Sequence, residues 1–257
     1  MDLAQTYEIW RELMLDQEAT WWQELFVRFY QAFLEADRWQ QYLEGVGVTL
    51  VVTAMALAIG VVLGVLVAVV RTAHDQQRPG RPKNPVLGVL NLICKVYVTV
   101  IRGTPMMVQI LIMGMVIFAS SRNYTAVGAL TLGINSEAYV AEIIRGGLMS
   151  LDIGQTEAGR SQGLTYIDTM RFIVVPQAFK AILPALGNEF IVLLKDTSLI
   201  SIIGGQEMVY FAKNIVNRTF DALFPLVGAA VIYLILVMIF TWLQGKLERR
   251  LRQSDRR

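Results

Sequence analysis

The residues that could do chemistry in this chain of 257 residues are charges set among apolar neighbours. Arg102 follows the apolar stretch 96–101 and precedes 19 uncharged residues. Glu189, Lys195 and Asp196 interrupt another apolar run, the last two leading into Thr197 and Ser198, while Glu137 and Glu142 stand in a third. A charge at bilayer depth costs about 2.5–3.5 kcal/mol on insertion scales, so it faces protein or water and marks a solute pathway or a locking pair. Gly103 and Pro105 break or restart a helix at Arg102. A half-helix beginning at Thr104–Pro105 would set its positive end beside the guanidinium, an arrangement suited to a carboxylate. Glu137, Glu189 and Asp196 suit an amine. Lys195 and Asp196 diverge by about 100° on a helix and do not pair with each other, so each needs a partner elsewhere. Arg102 is a candidate partner for Asp196, and a structural ion pair between helices is the alternative to a solute site. Glu142 is placed to pair with Arg145 or a neighbouring helix. One histidine, His74, excludes an HExxH metal site, and one cysteine, Cys94, excludes an intramolecular disulfide or a thiolate zinc cluster.

The elements that must position these charges are membrane spans. The chain is 54% hydrophobic and 17% charged, against about 45–50% and about 25% in soluble domains. Val46–Val70 and Ala222–Gln244 are uncharged runs of 25 and 23 residues, and a bilayer core needs about 20 apolar helical residues. These runs exclude a soluble globular enzyme. The spacing predicts an all-α, polytopic membrane protein with five spans. They are Val46–Val70, one within Pro85–Ser121, Tyr124–Ile144, Ala181–Gly205 and Ala222–Gln244. The second is too long for one straight rod and is expected to be broken or tilted. Gly60 and Gly64 allow a close helix approach in the first. Arg71, Arg78, Arg81 and Lys83 follow the first span, and Lys246, Arg249, Arg250, Arg252, Arg256 and Arg257 follow the last. Basic residues stay on the cytoplasmic side, so the N-terminus is expected outside and the C-terminus in the cytoplasm. Segment 145–180 is then a cytoplasmic loop, and 207–221 an outer one.

Residues 1–45 hold four of the five tryptophans and nine acids against three arginines. The first 20 residues have no apolar core of a secretory signal. Leu25, Phe26, Phe29, Tyr30, Phe33 and Leu34 recur at helical spacing, so this segment reads as an amphipathic helix that lies on the outer leaflet or on the protein's own flank. In the loop, Asp152 and Thr156 can cap a short helix carrying Glu157, Gly159 and Gly163, and Pro176 stops or kinks the helix that follows. A short helix with small and apolar faces suits either a partner's groove or the ends of its own bundle. Gly154–Ser161 spells Gly-x4-Gly-Arg-Ser, yet Arg160 is not a P-loop lysine and no strand precedes it, so ATP is not expected on this chain.

Glu157-Ala158-Gly159, three residues, Gly163, nine residues, then Ile173-Val174-Val175-Pro176 resembles the EAA signature of ABC importer permeases. "YLEGVGVTL", "IRGTPMMVQ", "EAYVAEIIRGG" and "GNEFIVLLKDTSLIS" are similar to the polar amino acid permeases of the histidine/glutamine type, and the resemblance runs from about residue 42 to 247. It implies the type I ABC importer permease fold: an N-terminal segment 1–45, a transmembrane domain 46–247 with the EAA loop 145–180, and a basic tail 248–257. It implies transport of a polar or charged amino acid by alternating access across the bacterial inner membrane. The partners implied are an ABC ATPase subunit dimer, which alone carries the ATP, a second permease subunit and an extracytoplasmic amino-acid-binding protein in a lipid bilayer, with no nucleic acid and no metal. The EAA helix, around Thr156–Thr165, would couple to the ATPase through Thr156, Glu157, Ala158, Gly159, Ser161, Gly163 and Leu164. Solute contacts would fall to Arg102, Thr104, Glu137, Glu189, Lys195, Asp196, Thr197 and Ser198. Gly159 stands where the motif has alanine and Val175 where it has leucine. Glu137 stands where such permeases more often have a small residue. An ion-coupled secondary transporter or channel is the competing reading, and an intramembrane enzyme lacks a histidine near the embedded acids.

Overall fold

The computed structural model describes residues 2–77 and 84–254. Arg78, Arg81 and Lys83 of the first basic cluster and Arg256 and Arg257 of the tail lie outside the described residues. In order come α1 (Leu3–Leu15), α2 (Trp21–Phe33), α3 (Trp39–Asp75), α4 (Pro85–Gly103), α5 (Met106–Ile112), α6 (Tyr124–Met149), α7 (Ile153–Ser161), α8 (Tyr166–Thr169), α9 (Val175–Asp196), α10 (Met208–Thr219) and α11 (Leu223–Ser254). No strand occurs among the described residues. The all-α expectation holds. By length and apolar content, the stretches Glu35–Asp75, Pro85–Gly103 and Leu223–Leu251 can each cross a membrane. Helices α6 and α9 are as long but carry embedded charges.

The seam of the fold is the contact of α3 with α6, the most extensive pair in the chain. Its sequence basis is a row of small residues on one side of α3. Gly45, Thr49, Thr53, Ala56, Gly60, Gly64, Ala68 and Thr72 are all buried and recur at spacings of three and four. Val51, Val62, Leu66 and Val69 on the other side stay exposed. Small residues let two backbones approach where lipid gives no hydrophobic drive for helix association. A Cβ at Gly64 would lie 2.8 Å from Val140 Cγ1, so the expected close approach at Gly60 and Gly64 is realised against α6.

Three boundaries differ from the sequence reading. Within residues 1–45, the stretch 3–33 forms two helices and not one, and residues 39–45 already belong to α3. The α1–α2 hairpin closes by stacking Tyr7 on Tyr30 at 4.3 Å and by Trp10 meeting Phe26 edge-on at 5.0 Å. It leans on the protein's own flank, with Phe29 against Phe224 and Phe33 against Tyr42. The first long helix starts at Trp39, before the apolar run, because Tyr42 and Gly45 pack into the cluster around Met208 and Ala212. Pro176 does not stop a helix. It occupies the first turn of α9, where its missing N–H costs nothing, and a π-turn at Met170–Val174 joins α8 to α9.

The long second segment is broken, as its length required. Thr104 and Pro105 are extended (ψ 142° and 133°) between α4 and α5. The freed carbonyls at the end of α4 are not left bare. Gln109 Nε2 donates to Ile101 O at 2.8 Å, and the Thr104 hydroxyl donates to Val100 O at 2.9 Å.

Candidate functional site

Helix α6 is the spine of the site. Asn135, Ser136, Tyr139 and Glu142 follow one another at spacings of one, three and three, so they lie along one side of the helix. Each engages a different element. Asn135 Nδ2 donates to Gln109 Oε1 of α5 at 2.9 Å, and Gln109 Nε2 donates to Thr104 Oγ1 at 2.7 Å. The Ser136 hydroxyl donates to Glu189 of α9 at 2.8 Å. The Arg102 guanidinium lies 4.9 Å above the Tyr139 ring. Glu142 pairs with Arg71 of α3 and, at 3.0 Å, with Arg145 one turn on. Arg145 also reaches Asp75 at 3.3 Å.

These contacts separate the expected solute residues. Arg102 and Glu189 meet α6 at Tyr139 and Ser136, three residues apart, with Arg102 exposed and Glu189 buried. Thr104 joins them, with its hydroxyl engaged at the α4–α5 break. Arg102 forms no ion pair with Asp196 among the described residues, which corrects the expected partnership. It stacks on Tyr139 instead, a cation–π contact made without a carboxylate. Glu137, next to Ser136, is 1% exposed, and neither carboxylate oxygen has a hydrogen-bond partner. It is sealed in the packed interior and does not open on the groove beside Arg102. Lys195 is exposed and Asp196 half-buried, neither in an ion pair among the described residues.

Thr197 and Ser198 belong to a second network at the far end of α9. Thr197 is buried, with its hydroxyl donating to Leu194 O at 2.7 Å and lying 3.3 Å from the Tyr233 hydroxyl. Tyr233 donates to Glu207 at 2.8 Å, and Glu207 caps α10 by accepting from Val209 N and Tyr210 N, each at 2.9 Å. Burial pushes the Glu207 carboxyl up to about 7, against the pull of the two amide donors and Tyr233. Ser198 donates to its own helix at Lys195 O. These hydroxyls hold the turn Thr197–Ile203 together.

The loop expected to couple to a partner is a helix–turn–helix. Asp152 caps α7 by accepting from Gly154 N at 2.8 Å, as its position suggested. Helix α7 ends at Ser161, shorter than the expected Thr156–Thr165, because Gly163 adopts φ +84° and Leu164 N closes back on Gly159 O. Thr165 then caps α8. Gly159 is buried against α8 and the π-turn, where an added Cβ would sit 2.9 Å from Thr169 and Ile173. Glu157, Ala158, Ser161 and Leu164 face outward with Ile153 and Ile167, both about three-quarters exposed.

Residues 86–253 match the family described as binding-protein-dependent transport system inner membrane component. The chain belongs to that family. Among curated relatives of this permease chain, the glutamine transport system permease protein of Escherichia coli (strain K12) is 34% identical over 215 residues, 82% of this chain and 92% of that one. The arginine transport system permease protein of Bacillus subtilis (strain 168) is 34% identical over 218 residues, 83% and 93% of the two chains. A crystal structure of an amino acid ABC transporter with histidines superposes with TM-score 0.74 at 37% identity, covering 85% of this chain and 98% of that one. An inward-facing methionine transporter shares the fold with TM-score 0.70 at 18% identity, over 82% of this chain and 96% of that one. The permease is therefore a membrane transport component.

Gln109, Asn135, Ser136 and Tyr139 were not singled out from sequence. They are uncharged polar residues inside long helices, and the signal that marks them is their spacing against Glu142 on a single α6 face. Glu207 was read as part of an outer loop, and only packing reveals it as a buried cap.

Proposed function

We propose that the permease is the transmembrane subunit of an ATP-driven importer carrying a polar or charged amino acid by alternating access. The observation that carries this reading is the pairing on α6 of Arg102 over Tyr139 with Glu189 held by Ser136. One cation and one acid that meet α6 three residues apart complement the carboxylate and ammonium of a zwitterion. Arg102 and Glu189 take the solute, with Gln109 and Asn135 as uncharged donors and acceptors between them. Thr104, Glu137, Lys195, Asp196, Thr197 and Ser198 complete the embedded polar set, with Thr104 stapling the α4–α5 break. Thr156, Glu157, Ala158 and Ser161 of α7, with Leu164 just beyond it, seat in the ATPase partner, while Gly159 and Gly163 set the α7–α8 angle.

In this reading the chain binds no ATP; a partner ATPase dimer holds it, and a second permease subunit completes the pathway. A binding protein delivers the solute from outside. The same reading has five spans with the N-terminal hairpin outside and the C-terminus in the cytoplasm, segment 1–45 preceding a transmembrane domain 46–247 and a basic tail 248–257 after it. Closure of the ATPases moves α7, and packed helices pass that push on as rigid-body rocking.

Uptake of radiolabelled glutamine, arginine, histidine and glutamate by proteoliposomes holding the permease, its ATPase and its binding protein tests this. Uptake of at least one that requires ATP on the ATPase side is expected. Uptake that needs only an ion gradient would overturn it in favour of a secondary transporter.

A further inference from the structure

Helix α4 carries both of its charges on one side. Lys95, Thr99 and Arg102 recur at spacings of four and three and therefore share a face, while Val89, Leu92, Ile93, Val96 and Val100 are exposed on the rest of the helix. The polar side lines a groove of about 520 Å³ completed by Arg71 from α3 and by Tyr139 and Glu142 from α6. Three cations thus meet a single acid, and that acid is already engaged. Glu142 holds Arg71 and Arg145 together. Lys95 and Arg102 have no carboxylate partner among the described residues, and both are exposed to the groove. The Thr99 hydroxyl between them is turned back on its own helix, donating to Lys95 O at 2.7 Å. Two unpaired cations inside an apolar helix, with a volume in the range of small-ligand sites, are satisfied by water or by an anion, and the ring under Arg102 fixes where its charge points.

We infer that this groove between α4 and α6 is an anion subsite that takes the carboxylate of a small solute between Lys95 and Arg102. The inference rests on the transport reading and extends it. The groove runs along α4 and α6 from Arg102 and Tyr139 past Thr99 to Lys95, Arg71 and Glu142, toward the end where α3 finishes and α4 begins. A solute released from the Arg102–Glu189 pair meets Lys95 next, and the Arg71–Glu142–Arg145 cluster keeps the acid there from repelling it.

The test uses the full chain in phosphatidylcholine vesicles with Cys94→Ser and Thr99→Cys, so that a single thiol reports the groove. Sulfonatoethyl methanethiosulfonate, an anion, should modify it faster than the trimethylammonioethyl analogue by about tenfold beyond their ratio on free cysteine. Lys95→Gln and Arg102→Gln, made separately, should each reduce that preference several-fold. L-glutamine, L-arginine or L-glutamate should slow the modification, whereas L-glutamine amide, which lacks the carboxylate, should not. Equal rates for the two reagents, or a preference untouched by both substitutions, would overturn the subsite. Protection only by added phosphatidylglycerol would assign the site to a lipid phosphate and overturn the solute. The reagent preference needs no ATPase, so its loss with ATP-driven uptake intact sinks the subsite alone, and loss of uptake with the preference intact sinks the transport reading alone.

Discussion

At the scale of single residues, the molecule separates charges left without a charged partner from charges that hold helices. Arg102 is of the first kind, since its guanidinium rests on a ring and on no carboxylate among the described residues. Replacing it by alanine should cut uptake at least about a hundredfold, the usual penalty for losing a charge-assisted contact of about 3 kcal/mol. The same variant should still co-purify with the ATPase, and loss of that complex would reassign Arg102 to structure. Glu207 belongs to the second kind. Its carboxyl ordinarily titrates near 4.5 and is pushed up to about 7 in the folded chain. The folded state therefore holds the proton more tightly than the unfolded one. The stabilisation is complete below about 4.5 and is lost as pH rises through about 7. Thermal melting in detergent should show this decline between those two values, and Glu207→Gln should flatten it. A decline that survives the substitution would place the titrating group elsewhere.

Among elements, backbone shape decides how the helices move together. The α3–α6 seam is closely packed, with Gly60 and Gly64 set against Ser136 and Val140, so the two helices are expected to travel as one body. Gly64→Leu would drive a branched side chain into Val140, which already stands 2.8 Å from the missing Cβ. Overpacking of this kind costs about 1–3 kcal/mol or more, and the melting temperature should fall by several degrees. An unchanged melting curve would mean that the seam opens freely. The α7–α8 turn depends on Gly163 at φ +84°. Gly163→Val places a β-branched residue in the left-handed region, at a cost of about 1–2 kcal/mol. That should tilt α7 away from α8. ATP hydrolysis by the assembled importer should then persist while uptake falls at least about tenfold. Equal losses of both would show that α7 serves assembly and not coupling.

For the whole molecule, the features visible before folding were those written as composition and local spacing. The uncharged runs 46–70 and 222–244 reappear inside α3 and α11, because a bilayer leaves backbone groups no partner but the helix itself. The break at Arg102-Gly-Thr-Pro, the cap at Asp152 and the pairing of Glu142 with Arg145 were legible for the same reason, each resting on neighbours within a turn or two. The hairpin α1–α2 was half legible: α2 shows its aromatic stripe, but its contacts lie some 190 residues downstream on α11. Phe33→Ala, which removes the ring lying against Gly228 and Tyr42, should lower the melting temperature and increase proteolysis within residues 3–34. No change in either would detach the hairpin from the bundle. By itself the sequence determined that the chain is helical and membrane-embedded, that a handful of charges stand in its apolar helices, and that Asp152 caps the short helix of the loop. Tertiary structure decided which of those charges face one another. It turned Arg102 to Tyr139 in place of Asp196, sealed Glu137 away and assembled Glu207, Tyr233 and Thr197. Side-chain partners across a bundle depend on the rotation and crossing of helices, and these are set by the whole row of small residues between α3 and α6 and by no local pattern around the charge itself.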